Sequence, residues 1–131
     1  MNTEAMHKAL EGSQAGRLTF PEVVGMLTTA GVESYFADLV RGEETFYTVD
    51  GETHRVQMTL PLSKIADDFS QHGVVAAIRA AQADQIRYPE FVNRAMAAGT
   101  VAYWAFLTGK KVVYFGSKGE FHVEEFPRQK S

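Results

Sequence analysis

The chain has 131 residues, of which 45% are hydrophobic and 22% charged, with a formal net charge of -3 and no cysteine. That length points to a single domain, residues 1–131, with enough apolar residues to bury a core. The acidic balance leaves no surplus of Lys and Arg for a nucleic-acid backbone, and the missing thiols exclude disulfides, cysteine nucleophiles and Cys-ligated metal centres.

The first predicted element is a weak amphipathic helix over TEAMHKALEGS, residues 3–13, with Thr3 as its cap and Met6, Ala9, Leu10 and Ser13 on one face. These opening residues hold no apolar run of signal-peptide length, so the expected location is the cytoplasm. Thr19-Phe20-Pro21-Glu22 then spells a capping box with proline in a first-turn slot, which starts a second helix near residue 20. Val23, Val24, Leu27 and Ala30 form its apolar stripe, and Gly31 stands where a helix end turns left-handed.

Three strands follow in ESYFADLV (33–40), ETFYTV (44–49) and THRVQM (53–58), the last two joined across Asp50-Gly51. Residues 58–70 are a linker in which Pro61 stops any strand. Beyond it the pattern restarts. QHGVVAAIRAAQAD (71–84) is a helix, Tyr88-Pro89-Glu90 opens another that ends at Gly99, and VAYWAFL, KKVVYF and EFHVEEF supply three more strands. AMAAGTVAYWAFLTG is the longest uncharged run and falls short of the roughly 20 residues of a spanning helix, so no membrane span is expected.

The restart is an internal duplication. Residues 20–57 laid over 88–125 without a gap give 11 identities in 38 positions, where ordinary composition yields roughly two or three. Tyr35, Ala37 and Leu39 match Tyr103, Ala105 and Leu107, so both copies point the same strand face at a core. The expected fold class is α+β: an α-α-β-β-β unit of residues 3–57 repeated over 71–126, pseudo-two-fold, with helices on one face of antiparallel strands. The period allows one six-stranded sheet or two three-stranded ones.

YPEFVNRAMAAGTVAYWAFLTGKKVVYFGSKGEFHVEEFP, with FPEVVGMLTTAGVESYFADL and the LSKIAD of the linker, resembles the YbcV/YdfO-like bacterial family of unknown function. The likeness runs from about residue 18 to Pro127. It implies a small soluble α+β protein, often encoded in prophage regions and often labelled a phage envelope protein, with no cofactor or catalytic residue to carry over.

Two sets of residues are candidates for chemistry. Glu52 and His54, repeated as Glu120 and His122, place a carboxylate and an imidazole on one face of a strand; two such pairs meeting across the pseudo-axis would suit zinc or another borderline metal. The alternative is that they are solvated strand positions kept by common descent. Tyr35, Tyr103, Phe36 and Trp104 can line a ligand pocket between sheet and helices, or pack as core. If helices cover the tyrosine face, Phe36 and Trp104 face solvent, a second sheet or a partner.

The first reading is therefore a non-enzymatic module, homodimeric, that binds a protein or small ligand and needs no cofactor. The second is a small enzyme or metal-binding protein that uses the Glu-x-His pairs.

Overall fold

Asn2, and not Thr3, opens the first helix in a computed structural model of the chain, which describes residues 2–127. Its side chain accepts the Ala5 amide at 3.1 Å, because the capping residue must stand outside the helical conformation that Thr3 already adopts. This helix, α1, runs Thr3–Gln14, and α2 runs Phe20–Thr29. The capping box is complete at α2: Glu22 Oε1 accepts from the Thr19 amide at 2.9 Å, while Thr19 accepts from the Glu22 amide. At the same position of the second copy Arg87 makes no side-chain cap.

Strands β1 (Val32–Asp38), β2 (Glu43–Thr48) and β3 (Thr53–Gln57) complete the first unit. The second unit repeats it as α3 (Gln71–Gln82), α4 (Tyr88–Ala97), β4 (Thr100–Phe106), β5 (Lys111–Gly116) and β6 (Phe121–Glu125). The left-handed residues that end α2 and α4 are Gly31 at φ 85° and Gly99 at φ 89°, the same position of the two copies.

All six strands join one antiparallel sheet in the order β3-β2-β1-β4-β5-β6. The two first strands meet at its centre, where Phe36 lies opposite Trp104 and Ala37 opposite Tyr103. A palindromic order of this kind is what a pseudo-two-fold axis between β1 and β4 requires. It also lets each small unit lend the other a sheet neighbour, which a unit of this size needs to bury enough surface.

Helices cover the face that carries Tyr35, Ala37, Phe46, Tyr103, Ala105 and Tyr114, all of them buried. Met6, Leu27, Val74 and Met96 reach into this layer from the four helices and are almost wholly withdrawn from solvent; each contributes on the order of 1.5–3 kcal/mol by burial. Residues 58–70 cross the molecule without regular structure and are tied down along their length. Gln14 Oε1 accepts from the Thr59 and Leu60 amides, and the Ala66 and Ser70 amides donate to the Met96 and Ala98 carbonyls. No helix among the described residues is long and apolar enough to cross a membrane.

Candidate functional site

Strand β2 alternates strictly: Glu44, Phe46 and Thr48 point toward the helices and Glu43, Thr45 and Tyr47 away. That alternation carries a carboxylate into the core layer. Glu44 is 4% exposed and lies between Ala37 on β1 and Val56 on β3, so its neighbours in the sheet cannot hydrogen-bond its side chain. Its partners come from the other copy. The Tyr88 hydroxyl, at the first turn of α4, donates to Glu44 Oε1 at 3.2 Å, and the Tyr103 hydroxyl on β4 stands 3.4 Å from the same oxygen.

The two hydroxyls are 2.6 Å apart. Each owns one proton, so one hydroxyl donates to the other and the second donates to Glu44 Oε1, which Tyr88 approaches the more closely. Among the described residues none hydrogen-bonds Glu44 Oε2.

Burial pushes the Glu44 carboxyl up to about 7, the hydrogen bonds from Tyr88 and Tyr103 offsetting only part of that shift. The same burial drives Tyr35, Tyr88 and Tyr103 well above the ordinary phenol range, and the nearby Glu44 charge pushes in the same direction. Three phenols that stay neutral surround one acid that titrates near neutrality.

These groups stand on the wall of a cavity of about 440 Å³ between sheet and helices. A run of edge-to-face and tilted rings encloses it: Phe46 to Tyr35 at 5.7 Å between centroids, Tyr35 to Tyr103 at 6.1 Å, Tyr103 to Tyr114 at 5.7 Å and Tyr114 to Phe91 at 6.1 Å. Leu10, Leu27, Ile78 and Ile86 close the helix side. Toward the entrance stand Arg87, which pairs with Asp84 at 3.0 Å, and Glu124 and Glu125 of β6. Burial acts to raise Glu124, but hydrogen bonds from Arg79 and His122 prevail and hold it below the usual carboxylate range.

The candidate ligand residues divide between the faces. Tyr35 and Tyr103 line the cavity. Phe36 and Trp104 are on the opposite, helix-free face, where they meet edge-on at 5.1 Å and Tyr47 and Phe106 stack on the indole. Both are half-buried by these neighbours.

The Glu-x-His pairs do not come together. β3 and β6 are the two edges of the sheet, so four strands separate the copies. His54 meets His7 of α1, Nε2 to Nε2 at 3.0 Å, and Glu52 is exposed before the strand starts. His122 lies 3.1 Å from both Gln71 and Glu124, and Glu120 accepts from the Lys118 amide in the hairpin turn. Among the described residues no group of three or more His, Asp or Glu is placed to hold a metal ion.

Glu44, Tyr88 and Tyr114 escaped the sequence reading, although a signal for them was present. The residue that matches Glu44 in the second copy is Val112, and Phe20 and Phe46 match Tyr88 and Tyr114. Polar groups that one copy has and the other lacks, at inward positions of a duplicated core, need a reason beyond packing.

A protein-family profile described as a protein of unknown function (DUF1398) matches residues 34–125. No curated protein matches the chain.

Proposed function

The chain belongs to the DUF1398 family, and from that premise we propose that it is a non-enzymatic module that binds a small, largely apolar ligand in the cavity between its sheet and its helices. The observation that carries this reading is Glu44: one buried carboxyl, with one oxygen that no described residue hydrogen-bonds, on the wall of a mainly aromatic and aliphatic space. A cavity of about 440 Å³ lies in the range of small-molecule sites, roughly 300–1,000 Å³, and such sites combine apolar walls with a few convergent polar groups. Glu44 Oε2 is not one of the polar atoms sealed in the core without a partner; Glu44 lines the cavity, where a ligand can reach it, which supports use over packing.

Stretches that resemble YbcV/YdfO-like proteins fall largely within the matched span and support a place for the chain beside them in the family. The same reading includes a homodimer through the outer sheet face, where Phe36, Tyr47, Trp104 and Phe106 cluster around the pseudo-axis.

Binding is tested with N-phenyl-1-naphthylamine, a neutral probe that fluoresces in apolar surroundings, displaced by 1-octanol. Val112 faces the cavity and Val113, its neighbour on β5, faces the other side of the sheet. The expected result is saturable uptake that Val112→Phe abolishes and Val113→Phe leaves intact. Uptake lost equally in both variants, or absent from the wild type, overturns the reading.

A further inference from the structure

The charged side chains that line the cavity are mostly acidic. Among the described residues its lining carries Glu44, Asp84, Glu124 and Glu125 against one cation, Arg87, while Arg79 reaches Glu124 from outside the lining at 2.7 Å. Arg87 is already paired with Asp84, and it stands at the entrance while Glu44 lies at the sheet. An anionic ligand would therefore meet carboxylates, with Arg87 and Arg79 already paired and no free cation in the lining among the described residues. A neutral ligand could at most hydrogen-bond Glu44 and would leave its ionised form without a counter-charge. A cation satisfies it, because a buried carboxylate is stable only when paired.

The rings add to this. Tyr35, Tyr88, Tyr103 and Tyr114 line the same cavity as the acid, and the face of a phenol ring attracts a positive charge without charge of its own. Glu44 Oε2, which no described residue hydrogen-bonds, is the atom left to meet it.

We propose that the cavity is a site for a lipophilic cation, an alkyl- or arylammonium whose charged head stands against Glu44 and whose hydrocarbon lies along the aromatic and aliphatic walls. This rests on the ligand-binding reading above and names the class of ligand.

Binding is coupled to a proton. Unoccupied, Glu44 is protonated below about pH 7, and a permanently charged ammonium must expel that proton to form the pair: Glu44 loses H⁺ to solvent as the cation enters. The other groups that face Glu44 do not answer for this. Tyr35 of β1, Tyr88 of α4, Tyr103 of β4 and Tyr114 of β5 are all raised above the ordinary phenol range. Val56 of β3 is apolar, and the lining residues of α1 and α2 carry no charge. At the entrance, Glu124 of β6 is held ionised by Arg79 and His122, and Asp84 and Arg87 neutralise each other.

The experiment displaces N-phenyl-1-naphthylamine from the wild type and from Glu44→Gln with octyltrimethylammonium and, as its neutral counterpart, 1-octanol, at about pH 5.5 and 8.5. An acid that titrates near 7 changes its ionised fraction by about 30-fold across that range, so the wild-type affinity for the cation rises by about 30-fold while octanol stays level. Glu44→Gln flattens the cation's dependence and weakens it at least about tenfold at the higher pH. Calorimetry of the wild type near pH 6, in two buffers of different ionisation enthalpy, reads release of close to one proton per cation.

Octanol binding with no preference for the cation, a pH slope that persists in Glu44→Gln, or no proton release overturns this inference alone. Failure of both compounds to displace the probe overturns it together with the ligand-binding reading.

Discussion

Glu44 carries a consequence for stability as well as for binding. Its folded-state pKa stands near 7 against an ordinary value of 4.5, so between those pH values the native chain holds a proton that the unfolded chain has released. Stability therefore falls as pH rises from about 4.5 through 7, by up to about 3 kcal/mol at 1.36 kcal/mol per unit. Glu44→Gln keeps the size and the hydrogen-bonding capacity of the neutral acid and removes the titration. Urea midpoints at about pH 5 and 8 are expected to drop for the wild type and stay level for the variant, which is the more stable of the two at the higher pH. Equal slopes would place the pH dependence elsewhere.

At the scale of elements, the duplication has kept geometry and let surroundings diverge. Gly31 and Gly99 end matching helices with nearly the same positive φ, yet a Cβ on Gly31 meets nothing within 4 Å, whereas one on Gly99 runs into the Asp68 carbonyl and Phe69 of the linker. Gly31→Ala bears only the left-handed strain, about 1 kcal/mol. Gly99→Ala must also push the linker off the end of α4, and is expected to exceed about 3 kcal/mol. Thermal unfolding of the two variants checks this; equal shifts would mean that the linker yields freely. Such pairs were legible as helix ends from the sequence because a cap is a local device: Thr19 with Glu22, or glycine after an apolar stripe, acts within one turn. That Gly99 also abuts Asp68 and Phe69 was not, since the contact joins segments some thirty positions apart.

Across the whole molecule, the sheet has two unlike faces. One is covered by helices and encloses the cavity; the other presents Phe36, Tyr47, Trp104 and Phe106 at its centre, with Phe121 63% and Val123 43% exposed at the β6 edge. The central cluster straddles the pseudo-axis, and a surface of that symmetry is suited to pairing with its own copy. Light scattering at high micromolar concentration is expected to report a dimer for the wild type and a monomer for Trp104→Glu; a monomeric wild type discards the homodimer.

The sequence alone determined the α+β class, the two α-α-β-β-β units and the strand face that each turns inward, because propensity, capping and alternation act over a few residues. Tertiary structure decided what pairing at a distance decides. It joined the units into one sheet through β1 and β4, and so carried the Glu-x-His pairs of β3 and β6 to opposite edges. It also divided Tyr35 and Tyr103 from Phe36 and Trp104 by face, which placed only the tyrosines at the cavity. And it made Glu44 a buried acid: in the chain it is one glutamate beside another, and only the helix layer, with Tyr88 and Tyr103 from the second copy, removes it from water and sets its charge.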